Sequence, residues 1–105
     1  MSDTPSHGLT PAELERLALL NEECGEVVQA VGKILRHGYA SCHPEGGPSN
    51  REALAREIGD LRVAIELVMR APDVDESVVD RAEIDKWIRL HRYTRHQRTM
   101  FDKRG

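Results

Sequence analysis

The chain has almost no aromatic residues. One Trp, two Tyr and one Phe make up 4% of its 105 residues. A core must therefore be assembled from Leu, Val, Ile and Ala, which suits helices packed side by side. Cysteine is as scarce. Cys24 and Cys42 are the only two, and they do not make a disulfide framework. Cys24 is expected as a small buried thiol within a helix, and Cys42 in a loop beside His43. No apolar run approaches the roughly 20 residues of a transmembrane helix, so a membrane partner of that kind is excluded. Met1-Ser2-Asp3-Thr4-Pro5 lacks the basic-then-apolar pattern of a signal peptide, and a cytoplasmic location is the expectation. Strand signals and internal repeats are missing too. The net charge of −3 carries no positive excess that would imply a nucleic-acid or membrane partner. A single domain spanning 1–105 is expected, with a core small enough to depend on good packing or on a partner chain.

What is present is helical patterning. Residues 1–9 read as a loose tail. Thr10-Pro11-Ala12-Glu13 then combines a capping residue, a proline suited to the first helical position and a glutamate at capping-box spacing. Leu17, Leu20, Cys24, Val27, Val28, Val31, Ile34 and Leu35 recur at helical spacing, which predicts a first helix over about 11–36. It should end near His37-Gly38, where glycine can take the left-handed cap. Residues 39–49 are dense in Gly and Pro and read as a loop. Ser49 and Glu52 repeat the capping-box spacing ahead of a second helix over about 50–70, which has Leu54, Ile58, Leu61, Ala64, Ile65, Val68 and Met69 as its apolar positions. Pro72 ends it. Asp73 or Asp75 can cap a third helix over about 75–98, less cleanly patterned, with a kink or break expected near 82–86. The fold class is therefore all-α, a helical bundle of about three main helices. The first helix, near 26 residues and roughly 39 Å long, is long for so small a chain. A symmetric oligomer in which helices of two chains complete the bundle would bury its apolar surface.

Two short acidic motifs interrupt the apolar pattern. Glu22-Glu23-Cys24-Gly25-Glu26 lies on the first helix and Glu57-Ile58-Gly59-Asp60 on the second. Each places two carboxylates three residues apart, Glu23 with Glu26 and Glu57 with Asp60, on one helical face. A solvated helix face also shows such pairs, and the chain has 18 acidic residues in all. Here, however, the pairs are flanked at helical spacing by Leu19 and Ala30 and by Ala53 and Ala64, which points to a partly buried seam. Like charges about 5 Å apart repel by roughly 3 kcal/mol at an effective dielectric near 20. Bound cations relieve that repulsion, and hard divalent ions prefer oxygen ligands. One helical glycine sits in each motif at a cost of about 1 kcal/mol against alanine; close helix approach, space for a ligand or chance would account for it. Lys33 lies two turns beyond Glu26 on a similar face and Arg36 a turn further. They can hold phosphate, or they can complement the helix dipole.

At these residues the chain resembles the MazG-like, all-α nucleoside triphosphate pyrophosphohydrolases, and among them the small single-domain members often found in phages. The resemblance runs over about residues 14–70. It rests on Glu23-Cys-Gly-Glu26 and Glu57-Ile-Gly-Asp60, with Leu20-Asn21-Glu22-Glu23, Ala30 to Gly38 and Asn50-Arg51-Glu52 around them. It implies a hydrolase that converts an NTP or dNTP to the monophosphate and pyrophosphate, working as a homodimer or homotetramer. Mg²⁺, or Mn²⁺ in its place, would be held by Glu23, Glu26, Glu57 and Asp60. Glu22 would orient or deprotonate the attacking water, or would be structural only. Lys33 and Arg36 would grip phosphates. Asn50 and Arg51 stand where helix N-terminal N–H groups favour anions, although Asn50 can also be only a cap. Tyr39, in the loop, could close over the ligand. Trp87 reads as core or interface more than as a platform for the base.

The rival reading is a non-catalytic helical module that binds a protein or nucleic acid through the C-terminus. Lys86, Arg89, Arg92, Arg95, Arg98, Lys103 and Arg104 are opposed there only by Asp102, and the first five would wind a basic stripe around a helix. The acidic balance of the whole chain disfavours nucleic acid. A zinc site from Cys24, His37, Cys42 and His43 fits no tetrahedral spacing.

Overall fold

Thr10 opens the first helix through a reciprocal cap. Its hydroxyl accepts from the Glu13 backbone N–H at 3.1 Å, and its own N–H donates to the Glu13 carboxylate at 2.7 Å. From there the computed structural model, which describes residues 7–99, carries three α-helices: α1 (Pro11–His37), α2 (Asn50–Arg70) and α3 (Glu76–Arg89). A 3-10 turn, Leu90–Arg92, follows, and no strand occurs among the described residues. The fold is all-α, as expected. Residues 1–6 of the expected tail, and Phe101, Asp102, Lys103 and Arg104, lie outside the described residues. Among the described residues no helix is long and apolar enough to cross a membrane.

The first two helices end where their sequence predicts. Gly38 closes α1 at a φ of 90° with its N–H on the Ile34 carbonyl at 2.7 Å. Only glycine takes that φ easily, although its ψ of 166° differs from that of the left-handed cap. Ser49 caps α2 by accepting from the Glu52 N–H at 3.2 Å. The reciprocal half of that box does not form, because the Glu52 carboxylate turns instead to Arg56 one turn on, at 2.5 Å.

The third helix is shorter than its periodicity suggests. Asp75, not Asp73, caps it, accepting from the Ser77 N–H at 2.9 Å. It stops at Arg89 rather than continuing to 98, and the expected break falls there instead of at 82–86. Beyond it Thr94 turns its hydroxyl back onto the Leu90 carbonyl at 3.0 Å, a local bond that competes with helix continuation. The predicted basic stripe is therefore not carried on one helix. Lys86 sits over the Tyr93 ring at 4.3 Å, and Arg92, Arg95 and Arg98 lie past the helix end.

By packing, the chain divides into two compact units, the first ending at Asp73 and the second beginning at Val74. The first unit is the α1–α2 hairpin. Its seam is built from small residues. Ala30, Ala64 and Val68 are the only buried apolar side chains among the described residues, and Ala64 is completely covered. The end of the hairpin near the N-terminus is tied by a two-point ion pair, Arg16 Nε to Asp73 Oδ2 at 2.6 Å and Nη2 to Oδ1 at 2.9 Å. This fork geometry is the strongest form an Arg–carboxylate contact takes.

The apolar positions of α1 do not form one face. Leu20, Val27, Ala30 and Ile34 turn toward α2, and Glu23 and Glu26 share that side in half-buried positions. Leu14, Leu17, Cys24, Val28, Val31 and Leu35 are exposed. Together with Asn21 they alternate at three- and four-residue spacing, as the a and d positions of a coiled coil do. The expectation of a buried Cys24 is thus corrected. A single partner helix covers only one stripe of α1, and Cys24 lies on the other.

Candidate metal centre and adjoining pocket

The α1–α2 hairpin places its acidic motifs opposite each other. Glu23, Glu57 and Asp60 each offer a carboxylate oxygen, and the three oxygens lie within 4.8 Å of one another. Glu23 and Glu57 are half-buried and Asp60 is exposed. This is the only convergence of three or more metal-capable side chains among the described residues, so the histidines and cysteines do not assemble a zinc site there. Glu26, the fourth candidate, is not part of that group. It lines a small cleft of about 60 Å³ alongside Glu57, Lys33 and Asn50. Glu22 is exposed on α1 beside Glu23.

The electrostatics match the geometry. The Glu23 carboxyl is held above its ordinary range, first by desolvation and then by the negative charges of Asp60, Glu22, Glu57 and Glu26. A raised acid pKa means the folded chain binds more protons than the unfolded one in the window between the two values. Ionised Glu23 therefore weakens the fold once the pH exceeds its folded pKa. The donor set suits a hard cation. Oxygens of an octahedral shell about 2.1 Å from an ion lie roughly 3–4 Å apart, compatible with the observed convergence. No backbone crowding explains the glycines of the two motifs: a Cβ at Gly25 or Gly59 would meet nothing within 4 Å. Close helix approach is therefore not their reason.

Beyond the cleft the hairpin opens into a cavity of about 550 Å³ between the C-terminal end of α1 and the 39–49 loop. Lys33, Arg36 and His37 form its α1 wall, and Ser41, His43 and two prolines its loop wall. Cleft and cavity share Lys33, Asn50 and Ala53, so one groove runs from the carboxylates to the loop. The carboxylate end is acidic, and no carboxylate lines the loop end.

The first turn of α2 does not act as an open anion site. The Asn50 N–H donates to the Ser41 carbonyl at 2.8 Å, the Arg51 N–H to the Tyr39 carbonyl at 2.9 Å and the Ala53 N–H to the Ser49 carbonyl at 2.9 Å. With the Glu52 N–H held by Ser49, all four N–H groups are committed, and an anion would find none of them free. The Asn50 side chain donates to the Gly38 carbonyl at 3.0 Å. Arg51 stacks its guanidinium on the Tyr39 ring at 4.9 Å, and neither side chain lines the cavity. These bonds pin the loop to α2. Sequence reasoning did not single out His37, Ser41 and His43 as wall residues, because nothing in their spacing announces that the loop folds back onto α1.

No family model matches the chain, and neither a curated protein nor a solved structure does.

Proposed function

We propose that this chain is a Mg²⁺-dependent nucleoside triphosphate pyrophosphohydrolase of the MazG-like kind, cleaving an NTP or dNTP to its monophosphate and pyrophosphate. The observation that carries the reading is the single groove on the α1–α2 hairpin, with a three-carboxylate convergence at one end and a cation-walled cavity at the other. A nucleoside polyphosphate needs both. Its phosphates require a metal to offset their charge and its remaining length requires room beside cations.

Glu23, Glu57 and Asp60 would hold the ion, with Glu26 within reach from the cleft. Bound there, Mg²⁺ or Mn²⁺ supplies charge neutralisation to phosphate oxygens and acidifies a bound water. Glu22, beside Glu23 on α1 and open to solvent, is the residue for orienting or deprotonating the attacking water. Lys33, at the boundary of cleft and cavity, is the residue for holding the phosphate chain in line, and Arg36 extends that grip.

A second copy of this chain is the partner proposed for the outer stripe of α1. The stripe leaves Val28 70% and Leu35 82% exposed, on a helix whose own hairpin buries only three apolar side chains. A self-complementary a/d stripe with Asn21 at an a position suits a symmetric helix pair, since a polar a residue specifies register.

The test is a pyrophosphate-release assay over canonical and modified NTPs and dNTPs, with and without Mg²⁺, beside the Glu57→Gln variant. Turnover that requires Mg²⁺ and falls by at least about a hundredfold in the variant is the expected result. A folded protein with no turnover on any nucleotide would sink the catalytic reading.

A further inference from the structure

We infer that the cavity between α1 and the 39–49 loop is where the nucleoside end of the substrate is read, with His43 as its principal specificity residue. The inference rests on the pyrophosphohydrolase reading for the direction in which the nucleotide lies, and on the cavity itself for the rest.

Size separates the two compartments. The cleft beside Glu26 and Glu57 encloses about 60 Å³ and has no room for a sugar and base. The loop cavity, partly open to solvent, offers about 550 Å³, within the range of roughly 300–1,000 Å³ that small-molecule sites occupy. Because Lys33 and Asn50 border both, a ligand with its phosphates beside the cleft can extend into the loop cavity; another cavity of the hairpin, about 410 Å³ beside Arg16, Leu19 and Leu67, shares no lining residue with the cleft.

The walls suit a nucleoside joined to phosphate. Lys33 and Arg36 take part in no described ion pair, so both are available to an anion. Pro44 and Pro48 offer apolar faces for a planar ring. Hydrogen-bonding capacity is also defined. His43 Nδ1 accepts from the Glu45 backbone N–H at 3.1 Å, which leaves the proton of the neutral ring on Nε2 and makes that atom a donor. Asn50 spends an amide N–H on the Gly38 carbonyl, leaving its oxygen as an acceptor. Ser41 supplies a hydroxyl that does either. One donor, one acceptor and one adaptable group are what the edge of a base requires. The loop is also pre-set, being bonded to the first turn of α2 through Asn50 and Arg51.

The experiment is isothermal titration calorimetry of the full chain in chelator. It titrates a panel of nucleoside monophosphates against inorganic phosphate, on wild type and His43→Ala, with circular dichroism as the folding control. At least one monophosphate should bind about tenfold or more tighter than phosphate. His43→Ala, a change in an exposed loop, should weaken that monophosphate about tenfold and flatten the preference among bases while leaving phosphate binding alone. Phosphate binding as tightly as every monophosphate, no monophosphate binding, or a silent His43→Ala would each overturn the inference. Monophosphate discrimination without Mg²⁺-dependent hydrolysis would remove the catalytic reading and leave the cavity assignment standing. Hydrolysis without discrimination would do the reverse.

Discussion

The two sides of α1 carry similar apolar content and meet different fates. The inner side, with Leu20, Val27, Ala30 and Ile34, packs on α2 and keeps Glu23 and Glu26 half-buried beside it. The outer side, with Leu14, Leu17, Val28 and Leu35, stays exposed, most of all at Val28 and Leu35. The inner seam is narrow because its contact residues are small: Ala30 and Ala64 let the helices approach, and carboxylates at the same level acquire a desolvated setting. The outer stripe has no alanine at its level and is left exposed by α2. Hydrophobicity alone does not separate a seam from an interface; the size of the residues and what faces them does.

The sharpest way to break the comparison is to crowd the seam. Ala64 is fully covered, so Ala64→Leu should overpack it and lower stability by about 1–3 kcal/mol. The same enlargement on the outer stripe, Val28→Leu, should stay within about 0.5 kcal/mol. Urea denaturation of the two variants measures both, and equal effects would dissolve the distinction between the sides. A pair of charges on the outer stripe probes the opposite side. Leu17→Asp with Val28→Asp should reduce the sedimenting species to a single chain while circular dichroism retains the helical signal. A wild-type chain that already sediments as a monomer would remove the interface from that stripe.

A smaller effect compares two carboxylates with opposite shifts. Glu23, held above its ordinary pKa by desolvation and by its acidic neighbours, weakens the fold at pH values above that raised pKa. Mg²⁺ should therefore raise the Tm more near pH 8 than near pH 4, by a few degrees at the higher value. Glu23→Gln should raise the metal-free Tm and remove much of the Mg²⁺ response. Asp73 behaves in the opposite sense. Its hydrogen bonds from Arg16 hold its carboxyl below the usual range, so its contribution is present above the unfolded pKa and is lost as the pH falls through the folded one. Arg16→Ala should lower the Tm at neutral pH and have little effect in strong acid. Thermal scans across pH record both curves, and slopes of the same sign for the two sites would contradict the geometry.

The reach of the amino-acid pattern differs along the chain for local reasons. Helix starts at Thr10 and Ser49 and the stops at Gly38 and before Pro72 were legible because each depends on groups a few residues apart. The C-terminal end of α3 was not. A run of basic residues at regular spacing looks helical, yet past Arg89 the Thr94 hydroxyl takes the Leu90 carbonyl instead. The carboxylate pairs were legible as pairs, since three-residue spacing sets one helical face. That Glu26 stands apart while Asp60 joins Glu23 and Glu57 depends on how α1 and α2 are set against each other, which no spacing within either helix encodes.

The amino-acid sequence by itself determined the all-α class, the limits of α1 and α2, and the two acidic motifs, one on each helix. Each follows from periodicity, caps and breakers that act over one or two turns. The tertiary structure alone decided which stripe of α1 is covered, which three carboxylates converge, and that the 39–49 loop folds back to wall a cavity with Lys33, Arg36 and His43. Those outcomes turn on contacts between residues far apart in the chain, where packing and hydrogen bonds to the first turn of α2 choose among arrangements that local preference leaves equal.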